Sequence, residues 1–161
     1  GTWPTIRDTL KRIGIDENEF LSKCDASFKQ GSRFDGWVSG QSGDSYLHPF
    51  SPPVKGAATD IHAAWKSQAN GTHAFADVMS VQSEICAHDL APRQESMPQY
   101  QGVVNYAYHL DAAKLAALLT QHATEKLGVK HIRDHVTHLE SHENGDIKAV
   151  LTKSNLSLIH I

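Results

Sequence analysis

Apolar positions recur along this chain at two periods, and the switches between them mark out the elements. Ile6, Leu10 and Ile13 follow Pro4 at helical spacing, and Gly14 supplies a stop. Asp16 with Glu19 three residues later has the spacing of a capping box, Asp standing in for Ser or Thr. Phe20, Leu21 and Cys24 then predict a second, short helix. From 27 to 38 the period falls to two, with Phe28, Phe34 and Val38 on one face and Lys29, Arg33 and Asp35 on the other. This predicts a strand on which Lys29 faces away from the Phe side. A turn-rich break at 39–45 leads into an extended Tyr46 to Phe50, ended by Pro52 and Pro53.

Two further stretches, 59–69 and 75–86, have helical spacing, the second with Phe75, Val78, Met79, Gln82, Ile85 and Cys86 on one side. Residues 91–102, with Pro92 and Pro98, are predicted loop. Asp111 can cap a longer helix carrying Leu115, Leu118, Leu119 and Leu127, ended by Gly128. Residues 129–132 then look like a strand, and 136–141 with 147–152 flank Asn144-Gly145, a strong hairpin signal. The alternation of helix and strand gives an α/β class, in which long helices cover one face of a mixed sheet. Periodicity gives no chemistry.

Composition narrows the function classes. With 40% hydrophobic and 20% charged residues the chain lies in the folded rather than the disordered regime. A formal charge of -3 with both signs interspersed leaves no basic stripe, so nucleic acid is not an expected partner. Two cysteines make no disulfide framework, and no apolar run approaches a membrane span or a signal-peptide core. A reduced, cytoplasmic protein without a membrane partner is expected. The chain opens without Met, and its final LSLIHI matches a translated sequencing adapter. The expected division is therefore a partial domain over 1–155 and an adapter-derived tail over 156–161.

His131, His135, His138 and His142 would form one imidazole stripe on a helix. Gly128 stops the preceding helix before them, however, and Asn144-Gly145 implies a hairpin after them. In extended chain the four divide between faces, no HExxH or Cys partner accompanies them, and no metal site is expected.

Five segments in order carry a resemblance: GTWPTIRDTLKRIGI from Gly1, CDASFKQGSRFDGW from Cys24, YLHPF from Tyr46, NYAYHLDA from Asn105 and EKLGVKHIRDHV from Glu125. Together they resemble the flavin-dependent tryptophan halogenases, over nearly the whole chain. The resemblance implies part of an FAD-binding domain of the flavin monooxygenase-like, glutathione reductase type, with part of a substrate region. It implies an enzyme in which reduced FAD, delivered by a separate flavin reductase, works with oxygen and a halide ion to make hypohalous acid. That oxidant halogenates a small electron-rich aromatic such as an indole. The 161 residues by themselves are expected to be inactive, since the family's glycine-rich fingerprint belongs upstream of Gly1.

Residue by residue, the resemblance makes Lys29 of CDASFK the catalytic lysine, whose amine can hydrogen-bond to hypohalous acid or form a haloamine. Small Gly31 and Ser32 would leave room for the oxidant to reach it. Pattern alone reads Lys29 as an ordinary solvated strand lysine. His48 and Phe50 match substrate-pocket residues, where stacking on an indole-like ring makes physical sense; on pattern alone they are a strand-edge His and a core Phe. Thr2, Trp3 and Pro4 take the place of the strap between flavin and substrate chambers, and Val136 the place where the backbone meets the FAD adenine. His109 is implied to act on the flavin side, and Asp111 reads more simply as a helix cap. The alternatives from other classes are a flavin-dependent aromatic hydroxylase, which needs no lysine, and a non-catalytic metal- or partner-binding module.

Overall fold

The computed structural model describes residues 1–53, 60–69, 73–154 and 156–158. The chain forms two compact units, residues 1–120 and 121–161.

In the first unit, α1 (Ile6–Arg12) buries Leu10, and α2 (Glu17–Lys23) buries Phe20. The Asp16 carboxylate accepts the backbone N–H groups of Asn18 and Glu19 at 2.9 and 3.0 Å, as the capping spacing predicted. These backbone bonds, with the Gln99 side chain, hold its carboxyl below the ordinary value. Leu10, Ile15, Phe20 and Cys24 make one core with Tyr106, Tyr108 and Leu118.

The predicted strand over 27–38 is two strands. β1 (Ser27–Lys29) and β2 (Gly31–Asp35) are separated by Gln30, and they pair with different partners. β2 runs antiparallel to β3 (Ser45–Pro49), and β1 runs antiparallel to β4 (Ala107–His109), a strand the periodicity reading did not contain. The period therefore does not carry across Gln30, and Val38, 80% exposed, does not share a face with Phe28. The loop beyond β2 is closed by Asp44, whose carboxylate accepts the N–H groups of Val38, Ser39 and Gly40.

α3 (Ile61–Ala69) matches the predicted helix, whose expected first residue, Thr59, lies outside the described residues. The single helix expected over 75–86 is α4 (Phe75–Met79) and α5 (Gln82–Ala87), broken at an extended Ser80 whose hydroxyl accepts the Gln82 N–H at 3.1 Å. The break changes the buried face. Ala76 and Gln82 are buried, while Phe75 and Val78 are largely exposed. Residues 91–102 contain no helix or strand, as expected. α6 (Ala112–Glu125) begins at Asp111, whose carboxylate accepts the Ala113 and Lys114 N–H groups at 2.8 and 3.0 Å, so capping is what Asp111 does.

In the second unit, β5 (Val136–Ser141) and β6 (Ile147–Thr152) form the predicted hairpin, with Gly145 at φ +91°. The expected strand at 129–132 is irregular chain. Val129 uses its N–H on the Ala123 carbonyl at the helix end, and Val129 and Ile132 are both exposed. β7 (Leu156–Leu158), the start of the expected tail, pairs with β6, and 159–161 lie outside the described residues. The α/β class stands, but the described strands group as three small antiparallel sheets rather than one mixed sheet.

Candidate active site

Lys29 is the last residue of β1, where it pairs with Ala107 of β4. Its neighbour Phe28 turns inward and packs edge-on against Tyr106 at 5.2 Å, so the lysine projects from the opposite face. One residue on, the Gln30 carbonyl accepts the Phe50 N–H at 3.1 Å, which brings the end of β3 beside the end of β1. The Lys29 Nζ consequently lies 5.2 Å from the Phe50 ring centroid and 5.7 Å from that of Trp3, within cation–π range of both. Those two rings meet each other at 5.7 Å and 46°.

Gly31 is required by the packing of β2 against β3. A Cβ there would sit 2.6 Å from the His48 carbonyl oxygen and 3.1 Å from the Pro49 Cα. Glycine permits β2 to approach β3 that closely, and Ser32 pairs with His48. The approach fixes Tyr46 to Phe50 as one wall of a cavity of about 520 Å³, whose other walls include Trp3, Phe75 and Met79. His48 is exposed at this wall and Phe50 is buried in it. A cavity of this size with mostly apolar lining suits a flat aromatic molecule.

The strap residues are tied from both sides. The Thr2 N–H and hydroxyl donate to the Tyr108 carbonyl at 2.8 and 3.0 Å, and the Tyr108 N–H donates back to the Thr2 oxygen at 3.0 Å. The Trp3 carbonyl accepts the Ile6 N–H, which starts the turn into α1 after Pro4. Trp3 is thus held by its backbone while its indole stays 62% exposed. His48, Phe50, Trp3 and Pro4 come together around one cavity, Lys29 reaches the Phe50 and Trp3 rings, and Thr2 anchors the strap. Val136 is described within the other unit, as an exposed first residue of β5 paired with Thr152.

His109 is the last residue of β4. It lies on the same face of the β1–β4 pair as Lys29, because Tyr106 and Tyr108 alternate inward to the core while His109 does not. That alternation was the available signal for β4. Burial, with the positive charge of Lys29, holds its imidazole below the ordinary histidine value. The four histidines of the tail lie on irregular chain, in β5 and at the hairpin turn, not on a helix. Among the described residues, no three His, Cys, Asp or Glu side chains cluster as metal ligands, and no helix is long and apolar enough to cross a membrane.

Residues 1–158 match the family model for tryptophan halogenase. The chain belongs to the tryptophan halogenase family. A solved tryptophan halogenase from Shewanella frigidimarina is 46% identical with a TM-score of 0.89, covering 98% of this chain and 31% of its own. A solved tryptophan C-6 flavin-dependent halogenase from taromycin biosynthesis is 27% identical with a TM-score of 0.83, over 98% of this chain and 32% of its own. The tryptophan 6-halogenase of Streptomyces albogriseolus is 29% identical over 157 residues, 88% of this chain and 29% of that protein. The chain thus has the α/β fold of those solved enzymes and spans about three tenths of the length of such relatives.

Proposed function

We propose that this chain is the lysine-bearing part of a flavin-dependent halogenase that replaces a ring hydrogen of an electron-rich aromatic, such as an indole, with chlorine or bromine. One observation carries the reading: the Lys29 amine is held over the rings of Phe50 and Trp3, two residues that line an apolar cavity. Phe50 and His48 line the chamber that takes the aromatic, and Lys29 is the residue that handles the oxidant.

Bound reduced FAD supplies the reducing equivalents with which oxygen converts halide to hypohalous acid and water. The strap fits such a group, since Thr2 fixes the backbone and Trp3 offers a flat exposed indole beside Pro4. Val136, at an exposed strand start, is the residue on which the adenine end would rest. The Lys29 amine either donates a hydrogen bond to the oxygen of hypohalous acid or exchanges its own N–H for N–halogen with loss of water. In the first case a ring carbon takes the halogen and the ring proton joins the released hydroxide as water; in the second the ring carbon takes the halogen from nitrogen, the nitrogen regains a proton in place of the one the ring releases, and the lysine ends as it began. The bare hydroxylase alternative gives no task to an amine in this place. A flavin reductase as supplier of reduced flavin and a reduced cytoplasmic setting, compatible with the free thiols Cys24 and Cys86, belong to the same reading.

The test uses the complete enzyme that carries this chain, with FAD, a flavin reductase, oxygen and indole as probe substrate. With bromide present, mass spectrometry should show hydrogen replaced by bromine, and no product should form without halide. Oxygen added to the ring independently of halide would contradict the proposal and support the hydroxylase.

A further inference from the structure

Along the β1–β4 ladder Ser27 opposes His109 and Lys29 opposes Ala107. Lys29 and His109 are therefore diagonal neighbours on one face, close enough for long side chains to meet, while Phe28 and Tyr108 occupy the other. Ala107 beneath Lys29 is small and fully buried, so it offers the lysine stem a floor but no lateral support. Support comes from the sides. A Cβ built on Gly1 would lie 3.1 Å from Nδ1 of His109 and 3.2 Å from Cδ of Lys29, so both side chains stand close beside Gly1. Gly1 is held there because Thr2 is bound through its N–H and its hydroxyl to Tyr108, next to His109 in β4.

We propose that His109, with the Gly1 backbone, clamps the methylene stem of Lys29 and so aims its amine over the Trp3 and Phe50 rings. His109 is a positioning residue for the lysine step, and the inference rests on the reading of Lys29 given above. A lysine side chain has four rotatable bonds and loses much freedom when fixed. Without lateral packing, its amine would sample solvent as well as the chamber. Burial favours the neutral imidazole, which can flank the lysine stem without adding a second charge beside it.

The test measures halogenated product per oxygen consumed in the complete enzyme, with a halogen-accepting β-diketone in solution to catch escaped hypohalous acid. His109→Ala should lower product per oxygen about fivefold or more, leave oxygen consumption within about twofold, and send the missing oxidant to the trap. His109→Gln, which keeps a neutral side chain of similar reach, should restore more than half of the coupling. Gly1→Ala, which pushes on the same two side chains from the strap, should reproduce the loss even if His109→Ala does not fold. Unchanged coupling in His109→Ala and Gly1→Ala would overturn the clamp. So would a parallel fall of oxygen consumption and product with nothing in the trap, the mark of a merely structural residue. Lys29→Ala run alongside separates the two claims: if it keeps halogenating, the lysine reading itself has failed and the clamp falls with it. If it stops while the His109 and Gly1 variants remain coupled, the clamp alone is wrong.

Discussion

Phe50 is held by backbone chemistry on both of its sides. Its N–H donates to the Gln30 carbonyl at 3.1 Å, and its carbonyl accepts the Asn105 side-chain amide at 3.0 Å. The next residue, Ser51, donates its N–H to the buried Gln82 side chain at 2.8 Å, and Gln82 in turn donates to the Asn105 carbonyl at 2.5 Å. The ring therefore faces Lys29 and Trp3 with little freedom to turn away. Replacing Phe50 with Ala should remove a stacking wall worth about 1 kcal/mol or more. In the complete enzyme we expect the KM for an indole substrate to rise about tenfold with oxygen consumption nearly unchanged, as read by steady-state kinetics. An unaltered KM would remove Phe50 from the substrate chamber. The sequence marked Phe50 through its resemblance to known pockets. It did not mark Gln82, which helical spacing placed among apolar residues, because a buried polar side chain is recognised only by the distant groups that satisfy it.

At the scale of elements, α2 is joined to β4 by one buried carboxylate. Glu17 is fully buried; its oxygens accept the hydroxyls of Tyr106 and Tyr108 at 2.7 and 2.6 Å and the Tyr100 N–H at 2.7 Å, and it pairs with Arg93. Such a group is tolerable only with its partners in place. The same tyrosines set the register of β4, hence of β1 and Lys29. Burial, then the Glu17 carboxylate, pushes the Tyr106 phenol up to about 12 and raises Tyr108 and Tyr100 as well. A raised phenol favours the protonated native form, so its contribution is complete below the unfolded value near about 10 and disappears as pH climbs toward the folded value. Denaturant midpoints should hold steady up to about pH 10 and then fall, with native phenolate absorbance lagging that of the unfolded chain. Coincident titration of native and unfolded tyrosines with a flat midpoint would contradict this arrangement. None of it was legible beforehand, since a glutamate in the first turn of a helix reads as a partner for the helix dipole.

For the whole molecule, local signals were the readable ones. The Asp16 cap, the Asp111 cap and the Asn144-Gly145 hairpin are each fixed within a few residues, and the chain folds at those places as they predict. Features fixed by distant partners were misread, namely the division of 27–38 between β3 and β4 and the strand at 107–109, and so was the break at Ser80, where a local side-chain bond replaces the helical one. Lys29 stood out only through resemblance, and period two added only its face. The proposed halogenase separates two events, formation of the oxidant at the flavin and its use at the lysine. The measurement that tests this most directly is the Lys29→Ala variant of the complete enzyme, with product and oxygen consumption followed together. Halogenation should be abolished while oxygen consumption continues nearly unchanged, and Lys29→Arg separates the two routes, because a guanidinium donates hydrogen bonds but stays protonated and offers no lone pair to take the halogen. Halogenation by Lys29→Ala at more than about a tenth of the parental rate, a loss under about 1.4 kcal/mol in barrier, would show that Lys29 is not the catalytic residue.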